Sequence, residues 1–437
     1  MKKEAHSFAW VVQYLEAEIT NLISTLLVMA QFLFYTIIII LVADFGLERY
    51  LAYLNIQHSK LPLPTILSDI YNPEKYNKQQ DYFRTNSRFG MLTSTFSFII
   101  TLLMYSLGGF AWVDSLIQNY TQSPILTPIL FFAIIYFAND IIGIPFEIYD
   151  TFVIEQKFGF NKVTPKLYVA DKLKAYGMTI VLGGGILSAI VWIYNITPEY
   201  FWLLAWAVIT SFSLFMTMFY SEVIVPLFNR QTPLEAGELR TEIEKFAVKS
   251  GFNLTNIFVI DGSKRSTKAN AYFSGLGSKK RIVLYDTLMD SMDTQEIVAV
   301  LAHEVGHYKH KHTLINLLIS MPSTLLLFFV FGLILKSDDM AQALGGQYAS
   351  FHLNALAFSI LYSPISLVLD IATNVLSRKF EYQADAFAAK YGFAEQLESG
   401  LKKLSATSLS NLMPHPLYVF FHYSHPTLYQ RITKIAR

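Results

Sequence analysis

Seven long apolar runs are the feature that most constrains the fold of this 437-residue chain. They lie near residues 20–43, 90–112, 124–145, 175–195, 201–227, 313–335 and 352–376. Each is long enough for a helix to cross about 30 Å of hydrocarbon. Charged residues make up 15% of the chain, well below the roughly 25% that is typical of soluble domains. The runs therefore predict a multi-pass, mainly α-helical membrane protein with seven transmembrane helices in a lipid bilayer.

The distribution of Lys and Arg predicts how these helices are oriented. The segments on one side, residues 44–89, 144–174, 228–312 and 377–437, hold 31 of the 34 basic residues. Because basic loops favour the cytoplasmic side, we expect these segments to be cytoplasmic and the amino terminus to lie outside or in a lumen. The membrane is expected to be the inner membrane in a bacterium and that of the endoplasmic reticulum in a eukaryote.

The polar segments between the apolar runs predict the domain organisation. The four predicted regions are an amino-terminal membrane domain of five helices (1–227), a cytoplasmic segment (228–312), helices six and seven (313–376), and a carboxy-terminal segment that joins the cytoplasmic one (377–437). In the second region, a polar helix from Pro233 to Lys249 precedes strand-like runs at 257–260, 269–273 and 281–284. These runs predict a small α/β unit, and an exposed edge of its sheet is suited to binding an extended peptide.

The clearest chemical signal is H-E-V-G-H at residues 303–307. Residues four apart share one face of a helix, so His303 and His307 are able to present two imidazoles to one zinc ion. Glu304 is offset from that face and is suited to act as a general base toward a zinc-bound water. The same pentamer also occurs in surface helices that bind no metal. Because the chain has no cysteine, a zinc site would need His and carboxylate ligands.

A third ligand has to come from elsewhere in the chain. In the run S-R-K-F-E-Y-Q-A-D, residues 377–385, Glu381 and Asp385 lie four apart on one predicted helix. We expect Glu381 to be the third ligand and Asp385 to accept a hydrogen bond from a ligating imidazole. The alternative is an ordinary amphipathic helix in which Arg378 and Lys379 pair with Glu381 at a wet surface.

These motifs resemble those of the type I CAAX prenyl proteases (the CAAX prenyl protease 1 family), which are integral-membrane zinc metallopeptidases. The S-R-x-x-E-x-x-A-D run is followed by Ser424-His425-Pro426 and Arg431, as in that family. Residues 270–275, N-A-Y-F-S-G, resemble its substrate-edge motif. Residues 144–165, which include G-F-N-K, resemble its amino-terminal signature. The resemblance thus covers about residues 140–431.

The resemblance implies a set of site residues. It implies that one Zn²⁺ per chain is bound by His303, His307 and Glu381, and that Glu304 is the base. It further implies that Asn270 and His425 line the reaction centre, and that Asn270, Ala271 and Tyr272 bind substrate. His425 is then suited to donate a hydrogen bond to the oxyanion that develops at the peptide carbonyl.

The implied activity is hydrolysis of peptide bonds by a metal-activated water, in the manner of enzymes that remove the last three residues of prenylated CAAX proteins. The implied substrate is a peptide or protein, including one that is prenylated at its carboxy terminus, and no other cofactor and no nucleic acid is expected. The family likeness also implies seven helices around a water-filled chamber. The sequence does not define an oligomeric state.

Two other functions fit part of the same pattern. One is a heat-shock-type membrane zinc protease for quality control, which shares the zinc motifs but does not account for G-F-N-K. The other is a non-enzymatic zinc-binding transporter or scaffold that uses the intramembrane residues Asp140 and Asp370. Charged groups at that depth should face protein or a water-filled cavity, as should Asn139 and Asn374.

Several single residues have a plain structural interpretation beside the functional one. Asn270 and Tyr272 are also ordinary strand residues near a turn, and His425 is also an ordinary loop residue before a proline. We expect His310 and His312, just beyond the motif, to form a polar helix end rather than to be ligands. Arg431 is suited either to bind a substrate carboxylate or to form an ion pair with Asp385 or Glu381.

Overall fold

A computed structural model describes residues 2–252, 257–275 and 281–435, with side chains from residue 28 onward. The amino-terminal half consists of the helices α1 (Lys2–His58), α2 (Pro73–Ser106), α3 (Gly109–Gln118), α4 (Leu126–Tyr149), α5 (Gln156–Phe158), α6 (Pro165–Met178), α7 (Gly184–Ile196), α8 (Phe201–Val223) and α9 (Val225–Phe228). The π-helical turns Asp150–Glu155 and Thr179–Gly183 connect α4 to α5 and α6 to α7. Each pair therefore forms one continuous helical rod.

The second half contains a small sheet and the remaining helices. Its elements are β1 (Gln231–Pro233), α10 (Glu238–Ser250), β2 (Ile257–Ile260), β3 (Ala271–Ser274), β4 (Arg281–Tyr285), α11 (Asp286–Ser291), α12 (Thr294–Lys309), α13 (His312–Ile334), α14 (Asp338–Ala343), α15 (Phe351–Lys390), α16 (Ala394–Thr407), α17 (Pro416–His422) and α18 (Leu428–Ile435). Helix α10 begins at Glu238 rather than at Pro233, because Gln231–Pro233 pairs with β2 as a strand.

Seven helical segments within the described residues are long and apolar enough to cross a membrane, which confirms the predicted number. They are Val28–His58, Pro73–Ser106, Leu126–Phe158, Pro165–Ile196, Phe201–Phe228, His312–Ile334 and Phe351–Lys390. The second span ends at Ser106 and not near residue 112, because Gly108 has a φ of +67° that interrupts the helix before α3. The enclosed water-filled chamber remains a prediction.

The sheet has the strand order β1-β2-β4-β3. Strands β2 and β4 are parallel, and the outer strands β1 and β3 pair with them in antiparallel orientation. This arrangement leaves one edge of β3 unpaired among the described strands. The small α/β unit predicted for this part of the chain is therefore confirmed.

One apolar core joins the sheet to the helices on both sides of it in the sequence. It contains Ile243 of α10, Leu284 of β4, Leu301 of α12 and Leu397 of α16, each of which is almost fully buried. Burial of this kind contributes roughly 1.5–3 kcal/mol for each large aliphatic side chain. The described residues of segments 228–312 and 377–435 thus share one core, although two membrane spans separate the segments in the chain.

Candidate metal centre

Helix α12 carries H-E-V-G-H and is fixed at its first turn. The Asp293 side chain accepts hydrogen bonds from the backbone N–H groups of Gln295 and Glu296, and the Glu296 carboxylate accepts one from the Asp293 N–H. Glu296 is buried and also accepts hydrogen bonds from Ser399 Oγ and Lys403 Nζ, both at 2.5 Å. The cap therefore also attaches α12 to α16.

The central part of α12 packs unusually closely against α15. A Cβ atom placed on Gly306 would lie 2.9 Å from the Cα of Ala384 and 3.1 Å from its carbonyl oxygen. The contact of 2.9 Å is shorter than real Cβ atoms make, so a side chain at this position would force the two helices apart. Glycine at position 306 thus permits an approach that brings Glu381, one turn before Ala384, to the two histidines of α12.

The predicted ligand atoms converge at one point. Nε2 of His303 and Nε2 of His307 are 3.1 Å apart, and they lie 3.4 and 3.2 Å from the Glu381 carboxylate oxygens Oε2 and Oε1. Zinc bonds of about 2.0–2.1 Å in a tetrahedron place neighbouring ligand atoms about 3.3 Å apart. Oε2 of Glu381 is buried and has no hydrogen-bond partner within the described chain. The three side chains therefore fit a tetrahedral metal ion with a fourth position left open.

The ring of His303 is oriented by a contact to Nδ1, the nitrogen that faces away from the ligand set. Its Nδ1 lies 2.9 Å from Oδ1 of Asp385, and Asp385 in turn accepts hydrogen bonds from Arg431 Nη2 at 2.6 Å and Nε at 3.0 Å. Burial opposes charge on His303, but the hydrogen bond to Asp385 and the Glu381 carboxylate 3.4 Å away outweigh it and raise the pKa of His303 to about 9. Burial also opposes charge on Arg431, and its ion pair with Asp385 raises the pKa of the guanidinium. Arg431 thus makes the ion pair named among its alternatives.

The ring of His307 contacts His312, which we expected to lie at a polar helix end. Its Nδ1 lies 2.9 Å from Nδ1 of His312, whose Nε2 lies 2.9 Å from Oε1 of Gln383. His312 is buried and stacks on Phe380 with ring centroids 4.1 Å apart. The expectation of a polar helix end is wrong for His312, because Lys311 adopts a φ of +59° and turns the chain back toward His307. His310 is exposed, as expected.

A cavity of about 410 Å³ adjoins the three convergent side chains. Glu304, Asn270 and His425 line it together with His303 and His307. The imidazole of His425 lies with its Nε2 3.3 Å from Oε1 of Glu381 and leaves 63% of its side chain exposed. The structure thus brings the predicted base, the predicted oxyanion donor and the ligand set to a single space.

The loop that carries His425 is fixed by the same helix that carries Glu381. Arg378 Nη1 donates hydrogen bonds to the carbonyl oxygens of Val419, at 3.2 Å, and of Tyr423. Asn374 Nδ2 donates to the carbonyl oxygen of Phe421 at 2.9 Å. The carbonyl groups of Phe421 and Tyr423 lie at the end of α17, where backbone carbonyls have no partner further along the helix, and these contacts satisfy them. Arg378 therefore does not form the ion pair with Glu381 that the amphipathic-surface alternative required.

Strand β3 forms one wall of the cavity through Ala271 and Phe273, and Asn270, the residue before the strand, continues that wall. Tyr272 lies on the opposite face of the sheet, where its hydroxyl is 3.4 Å from Oγ of Ser221. The Tyr272 side chain therefore points away from the cavity, because successive strand residues point to opposite faces, and a role of Tyr272 in substrate binding stays a prediction. The main-chain groups of Ala271 and Phe273 are the ones that alternate toward the free edge.

The segment that leads into β3 is anchored to the membrane helices by two charged contacts. Lys268 Nζ lies 2.8 Å from Oε2 of Glu155, and Arg265 contacts both carboxylate oxygens of Asp171 at 2.8–3.0 Å. The G-F-N-K loop joins this segment through a bridge between Asn161 and Ser266. The amino-terminal signature thus supports the edge strand, although it lies far from it in sequence.

Two protein-family models match this chain, and together they cover most of it. The model described as "CAAX prenyl protease N-terminal, five membrane helices" matches residues 52–230, and the model of peptidase family M48 matches residues 233–437. The second match contains every residue of the convergent ligand set.

Individual relatives agree with the family models over most of their length. The CAAX prenyl protease 1 homolog of Oryza sativa is 37% identical over 398 residues, which cover 88% of this chain and 93% of the relative. CAAX prenyl protease 1 of Saccharomyces cerevisiae is 33% identical over 422 residues, covering 90% and 93%. The crystal structure of S. mikatae Ste24p superposes with a TM-score of 0.86 at 33% identity and covers 92% of this chain and 98% of that one.

Proposed function

Because the chain belongs to the CAAX prenyl protease family of M48 metallopeptidases, we propose that it removes the last three residues of proteins that end in a prenylated cysteine motif. The chain is a multi-pass membrane metalloendopeptidase. The match to the five-helix model favours this branch over a heat-shock-type membrane protease. The observation that carries the proposal is the convergence of His303, His307 and Glu381 beside a cavity lined by Glu304.

The metal in our proposal is zinc, one ion per chain, held by His303, His307 and Glu381. Two imidazoles and a carboxylate form a ligand set common to catalytic zinc sites, and the spacing of the three ligand atoms fits its tetrahedral geometry. When bound, zinc lowers the pKa of a coordinated water and polarises the peptide carbonyl. His303 has to lose its extra proton when it binds the metal, so binding is expected to release a proton.

The remaining residues act on protons and orientation. Glu304 takes a proton from the attacking water and passes it to the leaving amine. His425 donates a hydrogen bond to the oxygen that becomes negatively charged, and its exposed position leaves room for a substrate carbonyl beside it. Asp385, fixed by Arg431, accepts the Nδ1 proton of His303 and keeps the other nitrogen free for the metal.

The substrate peptide binds in extended form along the free edge of β3. Main-chain groups of Ala271 and Phe273 alternate toward that edge, and Asn270 lies where the strand enters the cavity. Added strands of this kind gain affinity from main-chain hydrogen bonds and depend little on sequence. Such binding suits an enzyme whose substrates share a modification rather than a long common sequence.

The catalytic side is the cytoplasmic side in our proposal, since 31 of 34 basic residues lie in segments on that side. The chain lacks cysteine, so single cysteines introduced at Lys75, Lys162 and Glu199 can be labelled selectively. Cysteines at positions 75 and 162 should react with a membrane-impermeant thiol reagent from the cytoplasmic side only. A cysteine at position 199, between α7 and α8, should react from the other side. The opposite pattern would overturn the orientation.

The function is tested by mass spectrometry of the products from a farnesylated CAAX peptide and from the same peptide without the lipid. We expect release of the carboxy-terminal tripeptide from the farnesylated peptide, loss of this product after chelation, and its return when zinc is added. Cleavage of the unmodified peptide at scattered internal bonds, with no tripeptide released, would instead indicate a quality-control protease.

A further inference from the structure

A second cavity, of about 610 Å³, continues from the metal centre into the membrane region. It lies between α8, α13 and α15, and it shares Thr313 and Asn316 with the cavity at the metal centre. We call this second cavity the polar groove. A peptide held at the metal centre can therefore extend into the groove without leaving the protein surface.

Hydroxyl groups make the polar groove rich in hydrogen-bond acceptors. Five of its Ser and Thr side chains donate their proton to a backbone carbonyl three or four residues earlier on their own helix, at 2.8–3.1 Å: Thr217, Ser320, Ser323, Thr324 and Thr373. Each hydroxyl oxygen retains lone pairs after that donation. The groove therefore suits a ligand that brings donors.

Asp370 is the one charged residue that lines the polar groove. Its side chain is exposed, and within the described chain it makes no ion pair or hydrogen bond. Asp140, the other acidic residue named from the sequence, differs because Lys172 lies 2.8 Å away and Tyr176 donates a second hydrogen bond to it. An ionisable residue in a membrane span that has no protein partner marks a functional position.

We propose that the polar groove is a subsite for a positively charged side chain of the peptide substrate, with Asp370 as its counter-charge. This inference rests on the proposed function, because it assumes that a peptide is cleaved at the metal centre. A Lys or Arg side chain supplies a positive charge to pair with Asp370. It also supplies N–H donors for hydrogen bonds to the hydroxyl oxygens.

The geometry also gives the position of that side chain in the substrate. Asp370 precedes Glu381 by 11 residues of α15, which corresponds to roughly 16 Å along the helix axis. An extended peptide covers this distance in about five residues. Only three residues follow the cut in a CAAX substrate, so the charged residue belongs about four to six residues on the amino-terminal side of it.

The test is a set of farnesylated CAAX peptides in which one lysine is moved along the six residues before the cut. Each is compared with the same peptide carrying norleucine or glutamate at that position. For the wild-type protein, kcat/KM should be about fivefold or more higher for lysine than for glutamate four to six residues from the cut. Asp370→Asn should remove this preference, and Asp370→Lys should reverse it. Glu199→Gln, which removes a carboxylate between α7 and α8, should leave the preference unchanged.

The outcomes separate this inference from the proposed function. If no peptide is cleaved to release a tripeptide, the proposed function fails. If the peptides are cleaved but the lysine preference is absent, or persists in Asp370→Asn, the subsite assignment is wrong. If Asp370→Asn slows all peptides equally whatever their charge, the groove holds something other than a substrate side chain, and the assignment is also wrong.

Discussion

Gly306 on α12 lies directly against the backbone of Ala384 on α15, so that a Cβ at position 306 would come within 2.9 Å of the Ala384 Cα. This contact fixes how far Glu381 stands from His303 and His307. The glycine of H-E-V-G-H therefore helps to set the geometry of the ligand set.

Gly306→Ala should separate the two helices and weaken the metal site. Overpacking of this kind typically costs about 1–3 kcal/mol of stability, and here the strain falls on the ligand geometry. We expect lower zinc content and a lower temperature of thermal inactivation. Gly177→Ala in α6 is the matched control, because nothing lies within 4 Å of the added methyl group. Full zinc content in Gly306→Ala would show that α12 and α15 adjust without cost.

His312→Ala should lower zinc affinity about 10–100-fold, because His307 loses the partner that orients its ring. A competition titration with a chelator measures this affinity directly. His58→Ala provides the control, since His58 contacts the carbonyl oxygen of Met413 and no residue of the ligand set. Equal affinities for the two variants would rule out the role of His312.

Arg378→Ala should act through His425. Loss of the hydrogen bonds to Val419 and Tyr423 frees the loop that ends at His425, so we expect kcat to fall while zinc content stays unchanged. Activity of Arg378→Ala, His425→Ala and the double variant forms a thermodynamic cycle. If Arg378 positions His425, the double variant should be no slower than His425→Ala. Effects that multiply would mean that the two residues act independently.

If the substrate binds along β3, every second backbone amide of the substrate should donate a hydrogen bond to that strand. Peptides with one N-methylated amide lose a single donor, and only alternate amides of an added strand face the strand it joins. The affinity should therefore fall at every second position and change little between them. The KM measured for each peptide of the series reports this affinity. It would show no alternation along the peptide if the peptide is held by its side chains alone.

The ligand set could be predicted from the sequence because its members lie at helical spacing. His303 and His307 are four residues apart on one helix, and Glu381 and Asp385 are four apart on another. The seven spans were equally visible, since apolar length alone marks a membrane helix. The boundary of the second span was not, because Gly108 ends it within a run that stays apolar.

Contacts between different helices and strands could not be predicted from the sequence. His312 lies off the helical face of His307, and only the left-handed conformation of Lys311 brings it back. The family resemblance implied that Tyr272 binds substrate, but the face on which its side chain lies depends on the pairing of β3 with β4, which no local pattern reveals. The small residues Gly306 and Ala384 were visible signals of close helix packing, but nothing in the sequence showed that they face each other.

The rate of tripeptide release by zinc-loaded Glu304→Gln tests the central claim most directly. Glutamine keeps the shape of the side chain in the cavity but cannot accept the proton of the attacking water. We predict a protein that retains one zinc per chain and releases the tripeptide about 10²–10⁴-fold more slowly than the wild type. A fully loaded Glu304→Gln protein with the wild-type rate would contradict the assignment of this site.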